Sequence, residues 1–211
     1  IFNSTPEMIL QGQDIPIHLG SFMPAMKAVA DFFGEDIHEG DLILHNDPAY
    51  QGSHIVDMCM YRPVFYKEKH VFWTACKGHL TDAGGPVPAS YNPEATEIFA
   101  EGLRIPPIKL WDKGKPRDDI LNMVLTNMRA RRDQEGDFRA LIGSCHVGER
   151  NLINMLDKYG LDEVNLCIDE LLSMADRHMR SLIKEIPDGS YSGTAILEDA
   201  GHGLGDMEIT A

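Results

Sequence analysis

Residues 52–85 read GSHIVDMCMYRPVFYKEKHVFWTACKGHLTDAGG. Two apolar, β-rich runs lie inside this segment, Met58 to Phe65 and Val71 to Cys76, and the polar Lys67-Glu68-Lys69 separates them. A short polar gap between two such runs predicts a β-hairpin. Because hairpin strands are antiparallel, the residues before the first strand and those after the second meet at its open end.

A His-x-x-Asp pair stands at each end of the predicted hairpin: His54 with Asp57 before the first strand, and His79 with Asp82 after the second. Imidazole nitrogen and carboxylate oxygen together suit a divalent first-row metal such as Zn²⁺ or Mn²⁺. Glycine lies beside each pair and lets the backbone bend enough to bring both side chains to one site. Hydrogen-bonded residues of a turn-rich region are the alternative interpretation, so the pattern leaves a metal site and a structural cluster both open.

The composition argues against several classes of function. The 211 residues carry a net charge of −14, whereas a nucleic-acid-binding face requires clustered Lys and Arg. No run approaches the roughly 18 apolar residues that a membrane span needs. The 4 cysteines are too few and too irregularly spaced for a disulfide framework or a Cys₄ zinc site. We therefore expect a reducing, cytoplasmic location and neither a nucleic-acid nor a membrane partner.

Apolar periodicity predicts elements on both sides of the hairpin. A helix capped by Ser21 and ended by Gly34 is expected before it, with a short buried strand at Leu42-Ile43-Leu44. Another helix is predicted to start at Asn92-Pro93-Glu94, which combines a capping side chain, a Pro at the first position and an acid in the first turn. The buried face of this second helix would contain Ala95, Ile98, Phe99 and Leu103.

Helical patterns dominate the second half, where apolar stripes begin after Arg117 and a long amphipathic helix is predicted from Val164 to Ile186. A strand from Tyr191 to Leu197 and the start of another near Asp206 follow. We predict an α+β fold in which a mixed sheet with the β-hairpin packs against several helices. Residues 1–115 would form a metal-site α/β region. Residues 116–211 would form a helical region leading into a further strand, as a truncated part of a larger domain.

Five ordered motifs resemble the N-terminal half of the hydantoinase B/oxoprolinase family. They are His18-Leu19-Gly20-Ser21, Asn46-Asp47-Pro48, Gly52 to Asp57, Gly78 to Gly85, and Glu97 to Pro107. The family includes hydantoinase B subunits, the C-terminal part of 5-oxoprolinase, a caprolactamase subunit and the α-type subunits of acetone and acetophenone carboxylases. The similarity runs over nearly the whole chain. Members are several hundred residues long, so the resemblance implies that these residues are a fragment.

The resemblance implies that His54, Asp57 and His79 hold a divalent metal, zinc or manganese, together with an acidic ligand from a segment preceding Ile1. Family members often have paired histidines in the second motif, where this chain has Leu80. The replacement makes Asp82 a candidate fourth ligand, or a group that hydrogen-bonds to a ligand histidine.

His18 and His45 complete, with Asp82, the set of candidate catalytic residues. Both histidines lie near the motifs in sequence, and in one pocket they would serve as acid/base or substrate-binding groups. A hydrogen-bonded structural role is the alternative for each histidine.

Subunits of this family are similar in working with a second, ATP-using subunit of the hydantoinase A type, which implies a hetero-oligomer. The ATP-dependent step phosphorylates an amide or carbonyl oxygen. Gly84-Gly85-Pro86 lacks the Lys and Ser/Thr of a P-loop, so we expect ATP to bind the partner rather than this chain. A metal here would polarise a carbonyl group or lower the pKa of a water molecule to about 7.

The leading hypothesis is a metal-dependent subunit of an ATP-dependent cyclic amide hydrolase, acting on a hydantoin, oxoproline or lactam. An α-type subunit of an ATP-dependent ketone carboxylase is the alternative, because the two classes share the motifs seen here. A third hypothesis is a non-catalytic assembly subunit whose long helix binds a partner.

Overall fold

The computed structural model describes residues 1–13, 15–198 and 203–211. Six strands form one sheet: β1 (Phe2–Asn3), β2 (Leu42–His45), β3 (Asp57–Tyr66), β4 (Lys69–His79), β5 (Ile108–Asp112) and β6 (Lys115–Pro116). Four helices accompany it: α1 (Ile17–Phe33), α2 (Asp118–Thr126), α3 (Arg131–Tyr159) and α4 (Leu161–Ile183). Strands β7 (Thr194–Leu197) and β8 (Met207–Thr210) pair with each other in a separate two-stranded sheet. The α+β class is confirmed.

The strand order in the large sheet is β1-β4-β3-β2-β5-β6, and every pairing is antiparallel. The expectation of a mixed sheet is therefore wrong. Parallel neighbours need a crossover connection of a dozen or more residues, usually a helix, between them. Here α1 joins β1 to β2, which are not neighbours, and the other α-helices follow the last strand of this sheet.

The predicted hairpin is confirmed and forms the centre of the sheet. Strands β3 and β4 pair from Tyr66 opposite Lys69 at the turn to Asp57 opposite His79 at the open end. Lys67 and Glu68 both have positive φ, 49° and 65°, as the two central residues of a type I′ turn require. The open end therefore carries a carboxylate and an imidazole on directly opposed residues.

Alternation along the strands gives each face of the sheet its own core. One face packs on α2 and α3 and contributes Leu44, Met58 and Met60, which meet Phe138 and Leu141. The other face packs on α1. It contributes Ile43, Cys59, Tyr61 and Trp73, which pack with Ala25, Met26 and Val29. Asp57 shares the α1-facing side with Cys59 and Tyr61, because residues two apart on a strand point the same way.

Helix α1 begins at Ile17, four residues before the predicted cap. Ser21 is not its cap: the Ser21 hydroxyl donates a hydrogen bond to the His18 carbonyl, 3.2 Å away. The predicted end is confirmed, because Gly34 has a φ of 53° and its N–H donates to the Ala30 carbonyl. Starting early places His18 and Ser21 on α1, close to the sheet.

The helix predicted at Asn92 is absent from the described residues, and this prediction is wrong. Asn92 makes only a local turn, in which its side chain accepts from the Glu94 N–H at 3.2 Å. A single 3₁₀ turn follows at Ile98–Ala100, and Phe99 is 70% exposed. Gly102 then adopts a φ of 132°, and the Leu103 N–H donates to the Ala83 carbonyl at 2.7 Å. Docking onto the 78–85 loop replaces the helix, whose few residues would not offset the cost of nucleation.

The long amphipathic helix is confirmed as α4, but its apolar stripe is not covered within the described residues. Val164 is its only buried residue among those described. The exposed apolar side chains on α4 are Leu166, Leu171, Met174, Met179, Leu182 and Ile183. Strands β7 and β8 confirm the two predicted C-terminal strands, and their residues are exposed as well. None of the helices in the described ranges has the length and apolar composition needed to cross a membrane.

Candidate metal centre

Three of the predicted ligands converge at the open end of the β3–β4 hairpin. Asp57 is the first residue of β3, His79 is the last of β4, and the two are cross-strand partners. His54 lies in the loop that enters β3, and its ring centroid is 5.8 Å from that of His79. One ligand atom from each of these three side chains lies within 4.8 Å of the other two. The hairpin therefore performs the convergence that the sequence predicted.

The donor set fits a divalent cation. Two atoms that each lie about 2.1 Å from one ion are at most about 4.2 Å apart. Nδ1 of His79 lies 2.7 Å from Oδ1 of Asp57, well inside that limit. In the full set of three, the ligand atoms lie within 4.8 Å of one another, slightly beyond this limit, so binding one ion would require the side chains to move closer together. The side chains of His54 and His79 are 70% and 52% exposed, so solvent reaches the cluster.

The Asp57 side chain is held in position more firmly than the two histidines, because it is 1% exposed and hydrogen-bonded through both oxygens. Its Oδ2 accepts from the Ser53 hydroxyl at 2.5 Å and from the His54 N–H at 3.2 Å. Burial alone would raise the pKa of Asp57, but the bonds from Ser53, His79 and the His54 N–H outweigh burial and lower it. The carboxylate is therefore charged at neutral pH, as a metal ligand must be.

His18 reaches the same cluster from α1. Its Nε2 lies 3.5 Å from Oδ2 of Asp57, and its side chain is only 13% exposed. Burial lowers the pKa of His18, and the nearby Asp57 carboxylate offsets this effect only in part. A neutral imidazole beside the proposed ligands can accept a proton, so the geometry supports the acid/base interpretation of His18.

Sequence reasoning missed Lys77. Its ammonium donates to the Ser21 hydroxyl at 2.7 Å and to the Ser53 hydroxyl at 3.2 Å, and Ser53 in turn donates to Asp57. Lys77 is two residues before His79 on β4, so both side chains lie on the α1-facing side. The available signal was a single lysine that interrupts an apolar strand just before a candidate ligand.

His45 lies away from the three ligands, in the core between the sheet and α1. It is fully buried, and its Nδ1 is 3.5 Å from the Tyr61 hydroxyl. Burial lowers the pKa of His45 to about 4, so the imidazole is neutral at pH 7. Its contacts within the described residues fit the structural alternative better than a role at the cluster.

Asp82 is engaged elsewhere. Its Oδ1 accepts from the Arg129 guanidinium at 2.8 Å, and its Oδ2 accepts from the backbone N–H groups of Arg129 and Gly84 at 3.0 and 3.1 Å. Together these bonds fasten the 78–85 loop to the connection between α2 and α3. The structure therefore does not bring Asp82 into the group formed by His54, Asp57 and His79.

The loop between β2 and β3 positions His54 through a buried amide and a close backbone contact. The Asn46 side chain donates to the carbonyls of Ile55 and Leu103 and accepts from the Ile105 N–H. A Cβ at Gly52 would lie 2.1 Å from the Asn46 carbonyl oxygen, so only glycine fits there. Asn46 and Gly52 therefore hold in place the loop that carries His54.

The profile of the hydantoinase B/oxoprolinase family matches residues 1–211. The chain is 69% identical over its full length to the caprolactamase subunit beta of Pseudomonas jessenii, of which it covers 36%. It is also 32% identical to the acetophenone carboxylase delta subunit of Aromatoleum aromaticum, over 79% of this chain and 24% of that subunit.

A solved structure shows the same fold. The ATP-dependent caprolactamase from Pseudomonas jessenii superposes with a TM-score of 0.92 at 67% identity, over 99% of this chain and 37% of that one. The chain thus spans little more than a third of the length of these two caprolactamase chains.

Proposed function

The chain belongs to the hydantoinase B/oxoprolinase family, and we propose that it forms the metal-binding part of a subunit of an ATP-dependent enzyme that hydrolyses cyclic amides. The observation that carries this proposal is the convergence of His54, Asp57 and His79 at the open end of one hairpin. The similarity to a caprolactamase subunit supports a lactam, or a related cyclic amide, as the substrate class.

In this proposal three residues of the site bind the metal, and a fourth transfers a proton. Asp57, fixed by Ser53 and the His54 N–H, supplies the anionic ligand, while His54 and His79 supply nitrogen ligands from exposed positions. Zn²⁺ or Mn²⁺ held there would polarise an amide carbonyl or acidify a water molecule. His18, neutral and 3.5 Å from Asp57, would take up the proton that leaves an attacking water.

The proposed subunit works with an ATP-using partner of the hydantoinase A type. The structure of an ATP-dependent caprolactamase has the same fold as this chain, and the 211 residues contain no P-loop motif. A hetero-oligomer in which the partner phosphorylates the substrate therefore fits best. None of the four cysteines, all of which lie in the described ranges, is in a disulfide, which is compatible with the reducing cytoplasm that we propose as its location.

Metal analysis tests the core of the proposal. The full-length protein and its His54→Ala and Asp57→Ala variants are purified, and their metal content is measured by mass spectrometry. We expect near-stoichiometric zinc or manganese in the wild type and a loss of most of it in both variants. His178→Ala, at an exposed histidine on α4, is the matched control and should keep its metal. Unchanged metal in both site variants would contradict the proposal.

A ketone carboxylase subunit is the second candidate, favoured by the 32% identity to an acetophenone carboxylase subunit. The two functions differ in their need for bicarbonate. The co-purified complex, supplied with ATP, is assayed on lactams alone and on ketones with bicarbonate. Turnover of a lactam without bicarbonate is the expected result, and bicarbonate-dependent consumption of a ketone would favour the carboxylase instead.

A further inference from the structure

A cavity of about 650 Å³ adjoins the candidate metal centre, between β4, α1 and the first residues of the chain. Its walls are mostly apolar and include Met8, Leu10, Leu19, Phe22 and Ala75. Three basic side chains also line it: His18, Lys77 and His79. Apolar walls with a few convergent polar groups are typical of a site for a small molecule.

Lys77 is the one of these three that the proposed metal chemistry does not use. Its ammonium has three N–H donors. Two of them go to the hydroxyls of Ser21 and Ser53, and its nitrogen lies 5.1 Å from the centroid of the Phe22 ring. In the described part of the chain no carboxylate forms a salt bridge with Lys77. One donor and a positive charge thus remain without a direct anionic partner beside an apolar cavity.

The two serines hold this charge at a defined place. Ser21 lies on α1 and Ser53 in the loop before β3, so the ammonium is hydrogen-bonded to two different elements of the fold. Ser53 also donates to Asp57, which keeps one hydroxyl between the cation and the proposed metal ligand. A partly buried cation next to apolar surface is unfavourable unless an anion pairs with it. The arrangement therefore favours a ligand that brings its own negative oxygen.

We propose that Lys77 binds the carboxylate of a small aliphatic acid whose hydrocarbon chain fills this cavity. The inference rests on the proposed function, because hydrolysis of an amide by one water molecule yields a carboxylate and an amine. Lys77 would then receive the carboxylate end of the opened product while the apolar walls bind its chain. The ligand class is thus a small aliphatic acid with one carboxylate.

A structural cation is the competing explanation. In that case Lys77 only stacks on Phe22 and links two serines, and its removal would change stability without changing ligand affinity. A matched pair of probes separates the two explanations: hexanoate carries the carboxylate, and hexanamide has the same chain without a charge. Binding to the full-length protein is measured by calorimetry, both metal-loaded and after removal of metal with EDTA.

We expect hexanoate to bind the wild type and to bind Lys77→Met about tenfold or more weakly, because a hydrogen bond to a charged group is lost. Lys77→Arg keeps the cation and should retain most of the affinity. Hexanamide should bind wild type and Lys77→Met alike. Lys27→Met, on an exposed lysine of α1, is the control and should leave hexanoate binding unchanged. The Lys77 effect should persist in metal-free protein, which excludes a carboxylate bound only by the metal.

Equal hexanoate affinity in wild type and Lys77→Met, or no hexanoate binding to the wild type, would overturn the inference. If Lys77→Met does not fold, as judged by circular dichroism, Lys77→Gln takes its place under the same criterion. Failure of the proposed function looks different. Metal content unaffected by His54→Ala would contradict the metal site, while a Lys77-dependent loss of hexanoate binding would still support the anion site.

Discussion

Two regions of this chain are built from equally regular secondary structure but differ in what covers their apolar side chains. Around the large sheet, Trp73 and Phe138 are fully buried between strands and helices. On α4 and on the β7–β8 pair, Leu182 and Ile196 are 44% and 63% exposed. The contrast teaches that an amphipathic pattern specifies a helix or strand, whereas burial depends on a second surface that the pattern does not identify.

The first region also contains the candidate site. The burial of this region and the position of the site in it are connected. Asp57 keeps its position because β3 is central, with β4 on one side and β2 on the other. An active-site ligand needs such support to hold its geometry. In the second region the side-chain bonds of α4 are local, such as the Arg180–Asp176 pair at i,i+4. Substitutions in the two regions should therefore have effects of very different size.

The largest effect is expected from Phe138→Ala on α3. Truncation of a fully buried Phe should lower the free energy of unfolding by about 3–5 kcal/mol through lost burial and the cavity left behind. Leu182→Ala on α4 should cost less than about 1 kcal/mol in the 211-residue chain, because that side chain is already half in water. Urea unfolding of both variants measures the difference, and equal losses would remove the distinction between the regions.

His45 should make the first region sensitive to acid. Its pKa is about 4 in the folded protein, below the ordinary value of about 6.5, so the unfolded chain binds the proton more readily. Stability is then full above about pH 6.5 and falls as the pH drops toward 4, by about 3 kcal/mol in total. His45→Phe should flatten this part of the stability curve, measured by urea unfolding from pH 7 to pH 4. A curve as steep as that of the wild type would show that other groups cause the acid loss.

Asp82→Asn should have an intermediate effect. The substitution removes the charge from the bond to Arg129, at a cost of about 1.5–3 kcal/mol at pH 7. Burial would raise the pKa of Asp82, but the bonds from Arg129 and Gly84 lower it overall, so this stabilisation is present above about pH 3.9 and is lost as the pH falls through the folded pKa. The difference between variant and wild type should shrink below pH 4. A difference in unfolding free energy that stays constant at all pH values would indicate that the charge of Asp82 does not contribute to stability.

The smallest effect is expected from Met179→Gln on α4. Met179 is 58% exposed, and both residues are good helix formers, so the free energy of unfolding of the 211-residue chain should change by about 0.5 kcal/mol or less. The same unfolding assay applies. A loss of several kcal/mol would show that the α4 stripe is covered after all, for example by self-association, which the concentration dependence of the transition would reveal.

The parts of the fold that sequence predicted are those set by neighbours in the chain. The hairpin follows from two apolar runs with a short gap, and its antiparallel geometry brings His54, Asp57 and His79 together. Helices α2, α3 and α4 follow from periodicity, and Gly34 marks the end of α1 as expected. Local signals suffice for these features because nothing distant competes with them.

Other features depended on partners far away in the sequence. Asp82 has the same spacing from its histidine as Asp57, yet it pairs with Arg129, 47 residues later. The Asn92 capping signal is sound locally, but the Leu103 N–H donates to the Ala83 carbonyl, and the segment contains a local turn and one 3₁₀ turn instead of an α-helix. The role of Lys77 depends on its hydrogen bond to Ser21, which lies 56 residues earlier, and no local sequence pattern indicates that contact. Sequence spacing shows which side chains could take part in a site, whereas tertiary contacts determine which of them actually lie there.

The irregularity between Val64 and Phe65 lies near the turn of the hairpin, so the ladder from Asp57 to Val64 is uninterrupted. Side chains on a strand alternate in direction, so a slip of one residue along this ladder would turn every β4 side chain to the opposite face. Lys77 and His79 would then point toward Leu141 on α3, and Cys76 and Gly78 would face Asp57. The positions of Lys77 and His79 thus depend on one parity, and lengthening or shortening β4 by two residues, but not by one, would preserve it.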